Sequence, residues 1–326
     1  MPRFITPTPE QIRSVLADSH ALWGAGLSSA DYIGMWEELA RSRWAQAWYS
    51  WRALVDTDGR VLSSLKLYRP LIRLGEKTAR VAAIGAVFTP RPLRRRGHAA
   101  ALIRATLDEA AERGDVAALL FTDIGTEYYH AFGFLPLPCE DALGTLTRVP
   151  AFPADGVTLR AMTPGDLDAV VAAHEAASAS RPIAVVRDRG HWEFLLDRAA
   201  TFFHRLDGSG LERRFTVAEH ESRPIGYLVA VLAPGEWNLR EAAAYDGDPR
   251  TLARILAAGA ADARASGATT VWGWIPRALW AAAPAWRLRS QPRMRAIPMI
   301  RPLGACSLPD RLDTVEGAFI PYLDQF

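Results

Sequence analysis

Two stretches in opposite halves of this chain open on the same plan: "FITPTPEQIRSVLADSH" (4–20) and "VTLRAMTPGDLDAVVAAH" (157–174). Each begins with a short β-like run. A Thr-Pro pair able to open a helix follows, then an acidic residue in the first turn and apolar residues at helical spacing. Each half later carries a strand–turn–strand pattern, "RALVDTDGRVLSSLKLY" (52–68) and "RFTVAEHESRPIGYLVAVL" (214–232), which reads as a hairpin. A chain that starts again in this way is expected to fold as two related α+β domains, since two copies are too few for a solenoid. The stretch "TRVPAFPADGVTLR" (147–160) gathers proline, glycine and aspartate between the copies. It supplies a boundary between a domain at 1–150 and one at 156–326, and 326 residues suffice for two cores.

Within the first half, "RPLRRRGHAAAL" (91–102) crowds four arginines ahead of a glycine and a run of small residues. The whole chain carries a formal charge of only +2, from 38 basic and 36 acidic residues, so the basic run is local. No aromatic residue interleaves it, and both facts disfavour nucleic acid as a partner. Before it, "TARVAAIGAVFTP" (78–90) has the nearly continuous apolar character of a buried central strand. After it, His98 to Arg113 reads as a helix, with Leu102, Ile103, Thr106, Leu107 and Ala110 on one face and Gly114 placed to end it. A strand, a turn with arginine and glycine, and a helix N-terminus lined by Ala99 and Ala100 make a cradle for a phosphate. The helix end offers unpaired N–H groups, and Gly97 lets the backbone approach the anion closely.

Cys139 and Cys306 make neither a disulfide framework nor a zinc site, which fits a reducing compartment. The first residues lack an apolar core, and no apolar run approaches about 18 residues. The chain is therefore expected to be cytoplasmic, without a membrane partner or a metal. The tryptophan- and tyrosine-rich segment 20–51 packs helices onto a sheet or walls a pocket.

"RRRGHA" resembles the Arg/Gln-x-x-Gly-x-Gly/Ala signature of the GCN5-related N-acetyltransferases, the GNAT superfamily. The resemblance places the signature on Arg94, Gly97 and Ala99, with Arg95, Arg96, His98 and Ala100 completing the turn, one residue further from the strand than in the common form. It implies a mixed, mostly antiparallel sheet flanked by helices in each domain, and acetyl-CoA as co-substrate with its pyrophosphate at this turn. Ala86 and Val87 then end the strand that pairs with the pantetheine arm and acyl group. "YHAFGF" resembles the family's Tyr-x-x-x-Gly-Phe and places its tyrosine on Tyr129. The two-part chain is similar to fungal lysine N-acetyltransferases and to the enhanced-intracellular-survival acetyltransferases. The second half lacks the signature, and Asp246 and Asp248 stand where a phosphate would arrive. It is expected to be a degenerate domain that binds no cofactor.

These features imply an N-acetyltransferase acting on a primary amine of a small molecule or peptide. Tyr129 would serve as general acid to the leaving thiolate, and a strand N–H, that of Val87, would hold the oxyanion. The strand "RVAAIGAVF" carries no carboxylate, so the base falls to Asp123, Glu127, His20 or the terminal carboxylate of Phe326. The last candidate follows the resemblance to the survival-type enzymes. The alternative is a non-catalytic acyl-CoA-binding sensor or interaction module. A homo-oligomer is common enough among soluble proteins to be expected.

Overall fold

The computed structural model describes residues 2–146, 156–206, 210–309 and 318–325. The two repeated openings form as their sequences dictate. Thr8 caps the helix Pro9–Trp23 through a capping box with Gln11, and Pro9 starts the helix where its missing N–H costs nothing. Thr163 and Asp166 form the equivalent box around a short 3-10 turn, Pro164–Asp166, that leads into the helix Leu167–Ser178.

Each half builds a seven-stranded sheet, and the two sheets share one strand order. The first runs Arg3–Ile5, Tyr49–Val55, Val61–Tyr68, Ala82–Phe88, Ala117–Thr122, Ile297–Pro302, Leu135–Pro136. The second runs Val157–Ala161, Glu212–His220, Arg223–Ala233, Glu236–Ala244, Thr270–Gly273, Glu140–Thr145, Arg289–Pro292. In each sheet the fourth and fifth strands are parallel and the other pairs antiparallel. A parallel pair needs a crossover, and the helices His98–Glu112 and Pro249–Ala265 supply it.

The sixth strand of each sheet comes from the other half of the chain. Ile297–Pro302 enters the first sheet beside Ala117–Thr122, and Glu140–Thr145 enters the second beside Thr270–Gly273. The boundary at 150–156, most of which lies outside the described residues, therefore divides the chain but not the sheets. Sequence periodicity reports that a strand exists and which face is apolar; it carries no information on its neighbour.

A third sheet of four short strands joins the halves: Ala318–Phe319, Ile183–Val186, Leu71–Leu74 and Lys77–Arg80. Its last member explains a difference from the expected single strand over 78–90. The chain breaks at Val81, so Lys77–Arg80 pairs in the joining sheet and Ala82–Phe88 in the first sheet. One core lies under the helix His98–Glu112. Another, on the opposite face of the first sheet, mixes Tyr68 and Leu16 with Val185, Phe194 and Ile320 from the second half.

A buried polar network fixes the tail to the second sheet. Glu241 accepts bonds from both terminal nitrogens of Arg187 (2.9 and 2.8 Å), from Tyr227, and from His174 Nδ1 at 3.0 Å. Arg187 Nε donates to Asp324 at 2.8 Å. Arg187 and His174 hold the Glu241 carboxyl well below the ordinary carboxylate range, overriding its burial. Glu241→Gln leaves the Arg187 charge short of a partner in a fully buried setting. It is expected to destabilise the protein by about 3–5 kcal/mol, read as a fall in the denaturation midpoint. Stabilisation by this carboxylate is fully present above about pH 4.3, the unfolded value, and is lost as pH falls toward the folded one. The wild type should therefore lose stability below pH 4 more steeply than the variant.

Candidate active site: a bulged strand, an uncapped helix and a buried tyrosine

The first sheet opens at its centre. Ala82–Phe88 and Ala117–Thr122 pair from Ala82↔Ala118 to Ile84↔Leu120 and no further. On its other side Ala82–Phe88 carries a bulge, since Lys66 faces Gly85 but Ser64 faces Phe88. Ala86 takes a φ of 46° there, a conformation that costs an L-residue energy and marks a constrained position. Ser63 fastens the strand beyond the bulge, its hydroxyl donating to the Phe88 carbonyl at 2.9 Å. Gly85 to Phe88 thus turn one backbone edge toward the gap instead of toward a neighbour.

The anion cradle lies at the end of that strand. Arg91–Leu93 forms a 3-10 turn, Arg94 is extended, and Arg95 and Gly97 both have left-handed backbone, at φ 63° and 80°. Gly97 is the N-cap of the helix His98–Glu112, and no side chain caps it. The first helical N–H groups, those of His98, Ala99 and Ala100, are left for a ligand. A Cβ built at Gly97 meets nothing within 4 Å, so the space before the helix is open. Arg94 Nε donates to the Thr89 carbonyl at 3.1 Å and ties the turn to the strand. Arg95 and Arg96 are exposed, and neither forms an ion pair among the described residues. The donor set fits a pyrophosphate: backbone amides, a helix dipole, and uncommitted guanidinium groups on the rim.

The corresponding helix of the second half is closed. Asp248 caps Pro249–Ala265, its carboxylate accepting from Arg250 N–H at 2.9 Å, and Asp246 accepts from Asp248 N–H. A carboxylate sits where the first half leaves bare amides.

Tyr129 stands on the short helix Glu127–His130, after a turn that Thr122 builds by donating to the Gly125 carbonyl and accepting from Ile124 N–H. Its ring is 8 % exposed and packs in the core that includes Leu120 and Phe134. Burial, with Tyr128 and Asp123 adding to it, pushes the phenol up to about 12, so it keeps its proton at neutral pH. Two clasps from the exchanged strand region fix this corner. Arg301 donates to the Phe132 carbonyl at 2.7 Å, and Ala296 N–H donates to Asp123 at 2.7 Å.

That second clasp occupies one oxygen of Asp123. His20 commits Nε2 to the Leu27 carbonyl at 2.7 Å. Glu127 is exposed on the solvent side of its helix. Phe326 lies outside the described residues, but the tail leading to it is held: Arg198 donates to the carbonyls of Leu323 (3.4 Å) and Gln325 (3.1 Å). The aromatic segment divides between both expected roles. Tyr32, Trp44 and Trp51 are buried in the core, while Trp36, Tyr49 and one side of Trp51 line a cavity of about 420 Å³ beside the helix Ser29–Leu39. Sequence reading missed Arg301, Ala296 and Lys66, the last buried beside the bulge.

Among the described residues no cluster suits a metal ion, and no helix is long and apolar enough to cross a membrane. Residues 16–136 match a family model described as an acetyltransferase (GNAT) domain. No curated protein matches the chain. Among solved structures it resembles a GCN5-related N-acetyltransferase from Anabaena variabilis, at 14 % identity and a TM-score of 0.70, over 94 % of this chain and 74 % of that one. Eis1 from Mycobacterium abscessus gives 16 % and 0.60, over 93 % and 73 %. A tandem GNAT protein from the clavulanic acid biosynthesis pathway gives 15 % and 0.52, over 94 % and 100 %. At these identities the likeness is one of fold. Residues 16–136 are thus similar to a GNAT acetyltransferase domain, and the whole chain shares its fold with a tandem GNAT protein.

Proposed function

We propose that this protein is an acetyl-CoA-dependent N-acetyltransferase whose acceptor is a primary amine of a small molecule or peptide. The observation that carries the reading is the uncapped helix N-terminus at Gly97, opening beside a bulged strand and a buried, protonated tyrosine. Acetyl-CoA supplies the acyl thioester. Arg94 to Ala100 bind its pyrophosphate, the free edge at Ala86–Val87 aligns the arm, and the Val87 N–H faces the developing oxyanion. An alkyl amine has a pKa near 10.4 and must lose a proton before it attacks. Tyr129 donates a hydrogen bond to the departing sulfur. A free thiol, near 8.5, is a stronger acid than this phenol, so the proton shed by the amine completes the balance.

The base proposed is the terminal carboxylate of Phe326, on the tail that Arg198 holds, with Asp123 as the alternative. Extending the chain by a few residues beyond Phe326 displaces that carboxylate and alters no side chain. Acetyl-CoA affinity should be unchanged, while turnover falls by about 10²-fold or more and the pH–rate profile moves to the alkaline side, where free amine is plentiful. An unchanged profile would transfer the role to Asp123. The lack of a carboxylate on Ala82–Phe88 also favours a second reading, an acyl-CoA sensor without turnover. Coenzyme A release on adding amines selected by thermal shift separates the two.

A further inference from the structure

Lysine is scarce in this chain: Lys66 and Lys77 are the only two among 38 basic residues. Lys77 is exposed. Lys66 is 2 % exposed, in the middle of the strand Val61–Tyr68. Its neighbours Leu65 and Leu67 point into the core under the cradle helix, whereas Tyr68 packs on the opposite face. By the alternation of a strand, Lys66 shares the face of Tyr68. Its Nζ lies 2.8 Å from the ring centre of Trp36 and 5.2 Å from that of Trp51. It forms no ion pair or hydrogen bond with the described residues.

Arg198, of like sign, is the charged side chain that acts on Lys66. Burial, with Arg198 adding to it, holds the amine well below the usual lysine range. Burial thus favours the free-amine form of Lys66. A guanidinium could not replace it, because arginine does not deprotonate. In a chain that uses arginine almost throughout, this buried position carries an amine.

Its place in the sheet gives that amine something to react with. Trp51, Lys66 and Gly85 form one row across three strands. Gly85, which presents no side chain, immediately precedes the bulge and the opened gap. Neighbouring strands lie about 4.8 Å apart, a spacing that the four-carbon stem spans when it swings from the indoles toward Ala86–Val87.

We propose that Lys66 is an internal acyl acceptor, taking the acetyl group of acetyl-CoA seated at the cradle when no amine substrate is present. This rests on the cradle reading given above. The Nζ lone pair forms a bond to the thioester carbonyl carbon, and the carbon–sulfur bond breaks with its electron pair going to sulfur. The proton lost from nitrogen ends on sulfur. The products are Nε-acetyl-lysine and free coenzyme A, and no further reactant is needed. The amide is neutral and stable among the indoles, so the step runs once per chain and records acetyl-CoA bound without an acceptor.

The test is incubation of the full chain with acetyl-CoA at pH 7 without amine, followed by peptide mass spectrometry and calorimetry on the same sample. Acetylation should approach one group per chain at Lys66. Lys77, exposed and away from the cradle strand, should stay unmodified. Lys66→Arg should bind acetyl-CoA and take up no acetyl group, and Gly97→Glu should leave Lys66 unmodified. Bound acetyl-CoA with an unmodified Lys66 overturns the proposal and leaves the cradle standing. Equal acetylation of Lys66 in Gly97→Glu overturns it as well, because the group then did not come from the cradle. If acetyl-CoA does not bind at all, the cradle reading fails and takes this one with it.

Discussion

Gly97→Glu should abolish acetyl-CoA binding and leave the chain folded. The added side chain meets no atom of the protein at its Cβ, so packing does not oppose it. Its backbone does, modestly: a φ of 80° disfavours any residue with a Cβ, at a cost of about 1–2 kcal/mol. That is a small share of the stability of a chain with several cores. The ligand meets a different balance. A carboxylate before the helix accepts the N–H groups that would hold the pyrophosphate and repels its charge, as Asp248 does at the second helix. Losing two charge-assisted hydrogen bonds of about 1.5–3 kcal/mol each corresponds to roughly 10²–10⁴ in affinity, before repulsion is counted. Calorimetry should show one acetyl-CoA per wild-type chain and none for the variant. Unchanged affinity would remove the cradle from this turn, and a stoichiometry of two would reopen the second.

Tyr129→Phe should separate binding from turnover. The ring lies in a core with Leu120 and Phe134, and phenylalanine fills the same volume there. Its hydroxyl makes no hydrogen bond to the described residues, so its removal leaves no buried partner unsatisfied and stability should hardly change. The departing sulfur alone loses its donor. Turnover should fall by about 10²–10³, the scale for losing one hydrogen-bond donor at a developing charge, with acetyl-CoA affinity unchanged, measured as single-turnover release of coenzyme A and by calorimetry. Equal rates for the two proteins would show that the sulfur leaves without help from this phenol.

The cradle was legible in sequence because its physics is local. An apolar strand, an arginine turn, one glycine and two alanines occupy consecutive positions, and a helix end needs nothing distant to bind an anion. Tyr129 was legible for the same reason, through its offset from Gly133 and Phe134. The clasps at Asp123 and Phe132 were not, because their partners Ala296 and Arg301 lie in the other half of the chain. Asp123 is a candidate base by its sequence position, and the structure commits one of its oxygens to Ala296. Lys66 had a signal in the scarcity of lysine, but only the sheet register puts it beside the bulge. The arginines that hold the tail, Arg187 and Arg198, give no sign of that role in their own surroundings.

The exchanged strand has a consequence for how the protein is made. Ala117–Thr122 cannot acquire its second neighbour until Ile297–Pro302 has been synthesised. At about 5–20 residues per second, the intervening chain takes on the order of 10–40 s to leave the ribosome. Through that interval the first half carries an open, apolar edge along Ala117–Thr122, of the kind that recruits stray strands from other chains. Nascent molecules should depend on a holding chaperone during synthesis, and one released at residue 146 should aggregate instead of assembling a working half.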